Sequence, residues 1–281
     1  MRPFGLAGRR LLGRLARRHS LAGELACVLG LYALYETTRG LVAGDRGAAI
    51  DHAREIAATE RSLHVFVEPH VQAAAAAVPG LLATLGVLYL TLHLTVTGVY
   101  LLWLHRRRPA AFPVARTALL TASGLALVGF LAYPAAPPRL AGLGIDDTIS
   151  HGGVDLNHGL VSALYNPYAA VPSMHVAYAA IVGASLYLHG EYRMLRVLAF
   201  LYPALQLVVI VATGNHFFFD AVAGAAVAAF SFTFAIAACA WADTPSANAV
   251  GRTPRSLPTV SRDGSLPGNL AGWKRGGGVT R

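Results

Sequence analysis

Five stretches of the chain, approximately 79–104, 114–134, 172–189, 197–214 and 217–242, are nearly uncharged apolar runs. Crossing about 30 Å of hydrocarbon takes about 20 helical residues. Lipid offers the backbone no hydrogen-bond partner, so runs of this kind fold as helices. A sixth stretch, about 21–42, is interrupted by Glu24, Glu36 and Arg39 and is counted as a weaker span. The pairs Arg9-Arg10 and Arg17-Arg18 ahead of it could belong to a cleaved leader. Glu24 inside the run, and the lack of a small-x-small site followed by a soluble domain, favour a retained helix. The expected fold class is therefore all-α, an integral membrane bundle of six transmembrane helices. Composition agrees, with 55% hydrophobic and 13% charged residues and a mean hydropathy of +0.50.

A net charge of +9 raises the question of nucleic acid. The arginines, however, sit in clusters between the apolar runs and are not interleaved with aromatics on a soluble domain. No nucleic-acid partner is expected, and the bilayer is. Of the 23 basic residues only Lys274 is a lysine, a bias that fits a GC-rich bacterial genome. Residues 1–19, the 105–116 and 189–196 connections and the tail beyond 243 hold eighteen basic residues, against four in the alternate connections. The positive-inside rule then puts both termini in the cytoplasm. The expected organisation is a basic cytoplasmic N-terminus (1–20), a six-helix transmembrane domain (21–242) and a disordered basic cytoplasmic tail (243–281) rich in Gly, Pro and Ser. Cys27 and Cys239 lie inside apolar runs in no metal-binding pattern and read as inert buried thiols.

The outer connections are long where the inner ones are short, which points to function on the outer face. Residues 51–72, DHAREIAATERSLHVFVEPHVQ, set Ile56, Leu63, Phe66 and Val67 among charges. That pattern fits an amphipathic helix on the outer membrane surface, and equally a solvated linking helix.

His175 and His216 are 41 residues apart, separated by one descending helix, a short basic turn and one ascending helix. Two spans return the chain to its starting face, so both imidazoles belong at the same membrane boundary. In HFFFD, His216 and Asp220 stand at i and i+4, on one face of a helix. A carboxylate on one ring nitrogen fixes the tautomer and leaves the other as a nucleophile. Two further pairs share the spacing, His64/Glu68 and His151/Asp155. The first suits a surface helix and the second lies in a glycine-containing polar loop.

The stretch NPYAAVPSMHVAYAA opens the helix of His175, with Pro172 suited to its first turn and Ser173 and Met174 offering backbone N–H groups to an anion. Thr213, Gly214 and Asn215 are read as doing the same before His216, so that two helix N-termini converge on a phosphate. Arg139, the single basic residue of its long outer loop, supplies a full positive charge.

PSMH, followed 41 residues later by HFFFD and preceded by PPR, resembles the type 2 phosphatidic acid phosphatase superfamily, in particular its inositol phosphorylceramide synthase-like branch. The resemblance covers roughly 60–230. It implies a six-helix bundle in which His216 attacks phosphorus to form a phosphohistidine, Asp220 orients His216, and His175 protonates the leaving oxygen and then activates the acceptor. It implies no metal or other cofactor. The substrate would be a phospholipid or polyprenyl phosphate, with water, inositol or a sugar as acceptor.

Two of the superfamily's usual motifs are incomplete here. A lysine is expected seven residues before Arg139, where Ala132 stands, and no proline follows Arg139; an arginine is expected six before the nucleophile, where Ile210 stands. The synthase-like branch lacks these cations too. Arg39, Arg61, Asn166 and Tyr168 are the candidates to complete the phosphate clamp. Competing functions are a polyprenyl diphosphate phosphatase of cell-wall lipid recycling and, from another class, a non-catalytic lipid-binding protein or transporter. Transport is disfavoured because the spans show no internal repeat and no matched pair of broken helices. His93, near the middle of its span, reads as half a bilayer below the site and as an interhelical hydrogen-bonding residue. Glu36 and Arg39 read as a pair within the bundle. Tyr133, Tyr165 and Phe217 to Phe219 read as interfacial anchors.

Overall fold

The computed structural model describes residues 46–148 and 166–243, together with isolated positions between 22 and 37. The first span, with Glu24, Cys27, Glu36 and Arg39, lies largely outside the described residues, as do His151, Asp155, Tyr165 and the tail from 244. The described elements are α1 (Arg46–Ser62), α2 (Glu68–Ala76), α3 (Leu81–Arg107), α4 (Phe112–Ala132), a 3-10 turn (Pro138–Leu140), α5 (Met174–His189), α6 (Arg193–Ala212) and α7 (Phe218–Asp243).

Four helices, α3, α4, α6 and α7, are long and apolar enough to cross a membrane. The stretch read as a fifth span, 172–189, forms the 16-residue α5. At 1.5 Å per residue α5 is about 24 Å long, short of a bilayer core. Apolar side chains face outward on the described helices: Val87, Val99, Phe200, Leu201 and Phe230 are all more than half exposed, as expected of helices whose solvent is hydrocarbon.

The core runs along the helix seams. Tyr100, Leu104, Phe112, Leu119 and Ile181 join α3, α4 and α5, and Ala228 and Ala235 bring in α7. Leu85, Tyr89, Val209 and Ile210 pack α3 against α6, with Ala75 of α2 beside them. Two hydroxyl pairs cross between helices inside the bundle: Tyr100 Oη donates to Ser185 Oγ at 2.8 Å, and Ser123 Oγ meets Tyr178 Oη at 2.8 Å. An Arg108–Glu191 ion pair joins the α3–α4 turn to the α5–α6 turn, so both basic turns lie at one end of the bundle.

The opposite end is capped by protein. The segment read as one amphipathic or solvated helix is two helices, broken after Ser62 by a turn in which His64 takes a positive φ of 59°. In α1 the residues Ala49, Ala53, Ile56, Ala57 and Glu60 form one buried stripe. That stripe packs on Ala135, Ala136, Ala170 and Phe217. Of the four apolar residues expected to face lipid, Ile56 is buried in this protein contact, Phe66 is half-buried, and Leu63 and Val67 are exposed. Ala136 N–H donates to the Ala49 carbonyl. A bridge between Ala135 and Ala169 ties the loop after α4 to the loop before α5. The reading of Phe217 as an interfacial anchor is corrected here: it is fully buried under α1, whereas Phe219 is exposed.

Candidate active site

The α6–α7 turn is where the sequence most tightly dictates geometry. Helix α6 ends at Thr213, and Gly214 follows with a φ of 66°. Gly214 N–H donates to the Val211 carbonyl and Asn215 N–H to the Ile210 carbonyl, at 3.0 and 3.1 Å. These are the two bonds of a Schellman cap, which favours glycine at the left-handed position. His216 N–H also reaches the Ile210 carbonyl. Past the turn, Phe217 N–H donates to Asp220 Oδ2, Phe218 N–H to Glu68 Oε1 and Phe219 N–H to Glu60 Oε1, at 2.9, 2.8 and 2.7 Å. Each N–H group from 214 to 219 thus has a protein acceptor. The expectation that this helix start lies open to an anion is corrected: carboxylates of the protein itself occupy it.

His216 is buried and its Nδ1 meets two acceptors, Asp220 Oδ2 at 3.2 Å and the Ala170 carbonyl at 3.1 Å. A proton on Nδ1 satisfies both and leaves the lone pair on Nε2. Asn166 sets up the second contact. Its Oδ1 accepts the Tyr168 N–H at 2.9 Å and turns the loop that delivers Ala170. Asn166 and Tyr168, candidates for the phosphate clamp, are thus seen shaping this loop.

His175 belongs to the first turn of α5. Ser173 is the N-cap residue and Pro172 precedes it, so the proline lies outside the helix it was expected to open. Ser173 Oγ makes no capping bond and is buried without a protein partner, while Ser173 N–H donates to the Asp220 carbonyl. Gly224 permits that approach of α7 to α5, because a Cβ there would meet the Ser173 carbonyl oxygen at 2.3 Å. The His175 ring stacks on Tyr89 at 4.4 Å between centroids, and its Nε2 lies 3.2 Å from the Tyr89 carbonyl. The centroids of His175 and His216 are 5.5 Å apart, edge to face.

His93 was expected far below this site, yet its ring lies 4.1 Å from that of His175. The reason is depth. Tyr89 and His93 are eight and twelve residues into α3, about 12–18 Å along its axis, and α5 begins at that level. The site is sunk into the bundle rather than placed at its rim, which also accounts for the shortness of α5.

Arg139 N–H donates to the Gly214 carbonyl at 3.1 Å, its Nε to Asn215 Oδ1 at 3.0 Å and its Nη1 to Asp147 Oδ2 at 2.7 Å. Asn215 Nδ2 in turn donates to Thr213 Oγ1. Gly214 and Asn215, expected to touch phosphate, are seen hydrogen-bonded to Arg139. A Cβ at 214 would meet Ile145 Cγ2 at 2.7 Å, so the close approach this glycine allows is to protein. Arg61 is exposed, its guanidinium 4.5 Å above the Phe66 ring. Arg39 lies outside the described residues.

A family profile described as the PAP2 superfamily matches residues 54–234. The chain belongs to the PAP2 superfamily. Membership supports an enzyme of phosphoesterase type acting on lipid phosphates in a membrane. No curated protein and no solved structure matches the chain.

Two acidic residues of this PAP2 member escaped sequence reading. Glu68 was paired with His64 on a supposed surface helix; it is fully buried at the start of α2 and holds the α7 terminus, while His64 lies in the exposed turn. Glu60 is its neighbour from α1. Burial, first, and the adjacent Glu68 and Asp220 carboxylates push the Glu60 carboxyl up to about 8, against the lowering effect of its Phe219 N–H bond. A signal was present: Glu60 continues the spacing of Ala49, Ala53, Ile56 and Ala57, in phase with the buried face. The Ile210 position that lacks the usual arginine lies in the core, where its carbonyl anchors the Schellman turn.

Proposed function

We propose that the chain is a lipid-phosphate phosphotransferase or phosphatase that works through a phosphohistidine on His216. The observation that carries this reading is the 5.5 Å pairing of two imidazoles, one of which is held at Nδ1 by a buried carboxylate. An attack distance of about 3 Å to phosphorus and a hydrogen bond of about 2.8 Å to the leaving oxygen require nucleophile and acid on the order of 6 Å apart. His216 Nε2 attacks, and Asp220 fixes the tautomer and balances the charge that grows on the ring. His175 gives its proton to the leaving oxygen and recovers one from the acceptor in the second half-reaction. In each half the bond from phosphorus to the departing atom breaks as the bond to the entering one forms. Arg139, the orphaned Ser173 hydroxyl and the first turn of α5 hold the phosphate oxygens.

Of the two acceptor classes, the departures at Ala132 and Ile210 favour transfer to a polyol over hydrolysis, in line with the inositol phosphorylceramide synthase-like branch. The charge distribution favours a site on the extracytoplasmic side with both termini cytoplasmic. The test is a product analysis. Purified protein receives labelled phosphatidic acid or a polyprenyl diphosphate, with and without inositol and a panel of sugars. A labelled polyol phosphate is the expected product. Release of inorganic phosphate that no polyol alters assigns hydrolysis instead, and polyprenyl diphosphate as the preferred donor assigns lipid-carrier recycling. Full turnover by His216→Ala with every donor defeats the mechanism altogether.

A further inference from the structure

We propose that Glu60 and Glu68 are positioning residues, a carboxylic acid–carboxylate pair delivered by α1 and α2 that grips the first turn of α7 and through Asp220 sets the ring of His216. The consequence for catalysis rests on the reading of His216 as nucleophile; the pair itself does not.

Three consecutive N–H groups, of Phe217, Phe218 and Phe219, are held by carboxylates from α7, α2 and α1 respectively. A helix N-terminus carries a partial charge of about +0.5, enough to favour one carboxylate and too little to balance three. All three acids are buried, and Glu60 Oε2, Glu68 Oε2 and Asp220 Oδ1 are each buried without a donor. Glu60 and Glu68 are brought side by side by their bonds to the consecutive N–H groups of Phe219 and Phe218. A single proton between them converts two mutually repelling acceptors into a donor and an acceptor. The groups facing Glu60 are Glu68 from α2 and Asp220 from α7, all of one sign. Behind Asp220 stands His216, and Tyr133 at the end of α4 is also within electrostatic reach of Asp220.

The clamp acts on the reacting ring because one oxygen serves both. Asp220 Oδ2 accepts the Phe217 N–H and meets His216 Nδ1. Rotation of the first turn of α7 therefore moves the imidazole, and a displacement of about 1 Å at a reacting atom lowers rate about 10²-fold. The Glu60 carboxyl, raised from its ordinary 4.5 to about 8, holds a proton in the folded state that the unfolded chain releases between those values. Its contribution to stability is complete below the lower value, declines between the two and is lost as pH rises through the upper one.

The test uses full-length protein in detergent micelles. Infrared difference spectra are expected to show a protonated-carboxyl stretch at neutral pH that titrates near pH 8 and is missing from Glu60→Gln, whose amide preserves shape and both hydrogen-bonding roles. The ring 15N resonance of His216, assigned by its loss in His216→Ala, is expected to inflect at the same pH in the parent protein and not in Glu60→Gln. The melting temperature should fall from about pH 5 to about pH 9 in the parent and fall less steeply in the variant. A parent without the carboxyl band, a band that persists in both Glu60→Gln and Glu68→Gln, or a His216 resonance blind to this titration overturns the proposal. His216→Ala should keep the band. If that variant also keeps full turnover, the catalytic reading fails while the carboxyl pair stands.

Discussion

At the residue scale the site divides labour between two nitrogens of one ring. Nδ1 of His216 is committed to Asp220 and to the Ala170 carbonyl, which in the proposed mechanism leaves Nε2 as the attacking atom. Asp220→Asn keeps the shape but can present its amide N–H to Nδ1, which selects the wrong tautomer. We expect kcat to fall about 10²- to 10⁴-fold with KM little changed; a loss confined to KM would move Asp220 from orienting the ring to binding substrate. Arg139→Lys removes the fork that reaches Asn215 and Asp147 together. The expected loss in kcat/KM is about 10- to 10²-fold, and a value equal to the parent's would take Arg139 out of the site. The juxtaposition of His216, Asp220 and His175 was legible because their spacing carries geometry with it: i and i+4 share a helix face, and two spans return a chain to one side. Glu60 was not legible as a site residue, since an acid among Arg54, Glu55 and Arg61 reads as part of a solvated face. Only its phase with the buried alanines sets it apart. His93 was misplaced because depth along a helix was measured from the membrane boundary, whereas the site begins lower.

At the scale of elements, the His216 ring is positioned by a turn and by α1 and α2, outside the long apolar bundle. The long helices follow directly from apolar length. The division of 46–76 into α1 and α2 does not, because it depends on a left-handed residue, His64, that has no glycine to announce it. Nor did the sequence disclose that α7 starts under three carboxylates, since Glu60 and Glu68 come from 159 and 150 residues away. The α5–α7 seam supplies a sharp test. Gly224→Ala brings a methyl group against the Ser173 carbonyl. Overpacking there is expected to cost about 1–3 kcal/mol and to displace the turn that carries His175. Thermal unfolding and activity should fall together. A variant as stable and active as the parent would mean that α7 and α5 do not approach as closely as this seam requires.

For the whole molecule, the basic turns sit at one end, joined by Arg108 and Glu191, and the histidines lie toward the other. Helix α3, about 40 Å long by its 27 residues, exceeds a hydrocarbon core of about 30 Å. Under the proposed function, a site sunk this far along α3 places the reaction at headgroup depth, with α1, α2 and the loops packed over it. That arrangement suits a substrate whose chains stay in the bilayer. Orientation is checked by replacing Leu140, near Arg139, and Ala110, in the α3–α4 turn, each with cysteine in a Cys27→Ser background; Cys239 is buried. A membrane-impermeant thiol reagent on intact cells should label position 140 and reach position 110 only after lysis. The reverse pattern would put the site in the cytoplasm.

The most direct measurement is the location of the phosphoryl group during turnover. Protein mixed with labelled phosphatidic acid or polyprenyl diphosphate is quenched in alkali within one turnover, digested and read by mass spectrometry. The expected result is an acid-labile, base-stable phosphate on His216, absent from His216→Ala and formed more slowly in His175→Ala, which lacks the acid for the leaving oxygen. Turnover that continues with no phosphate on His216, or with phosphate on another side chain, would contradict the account.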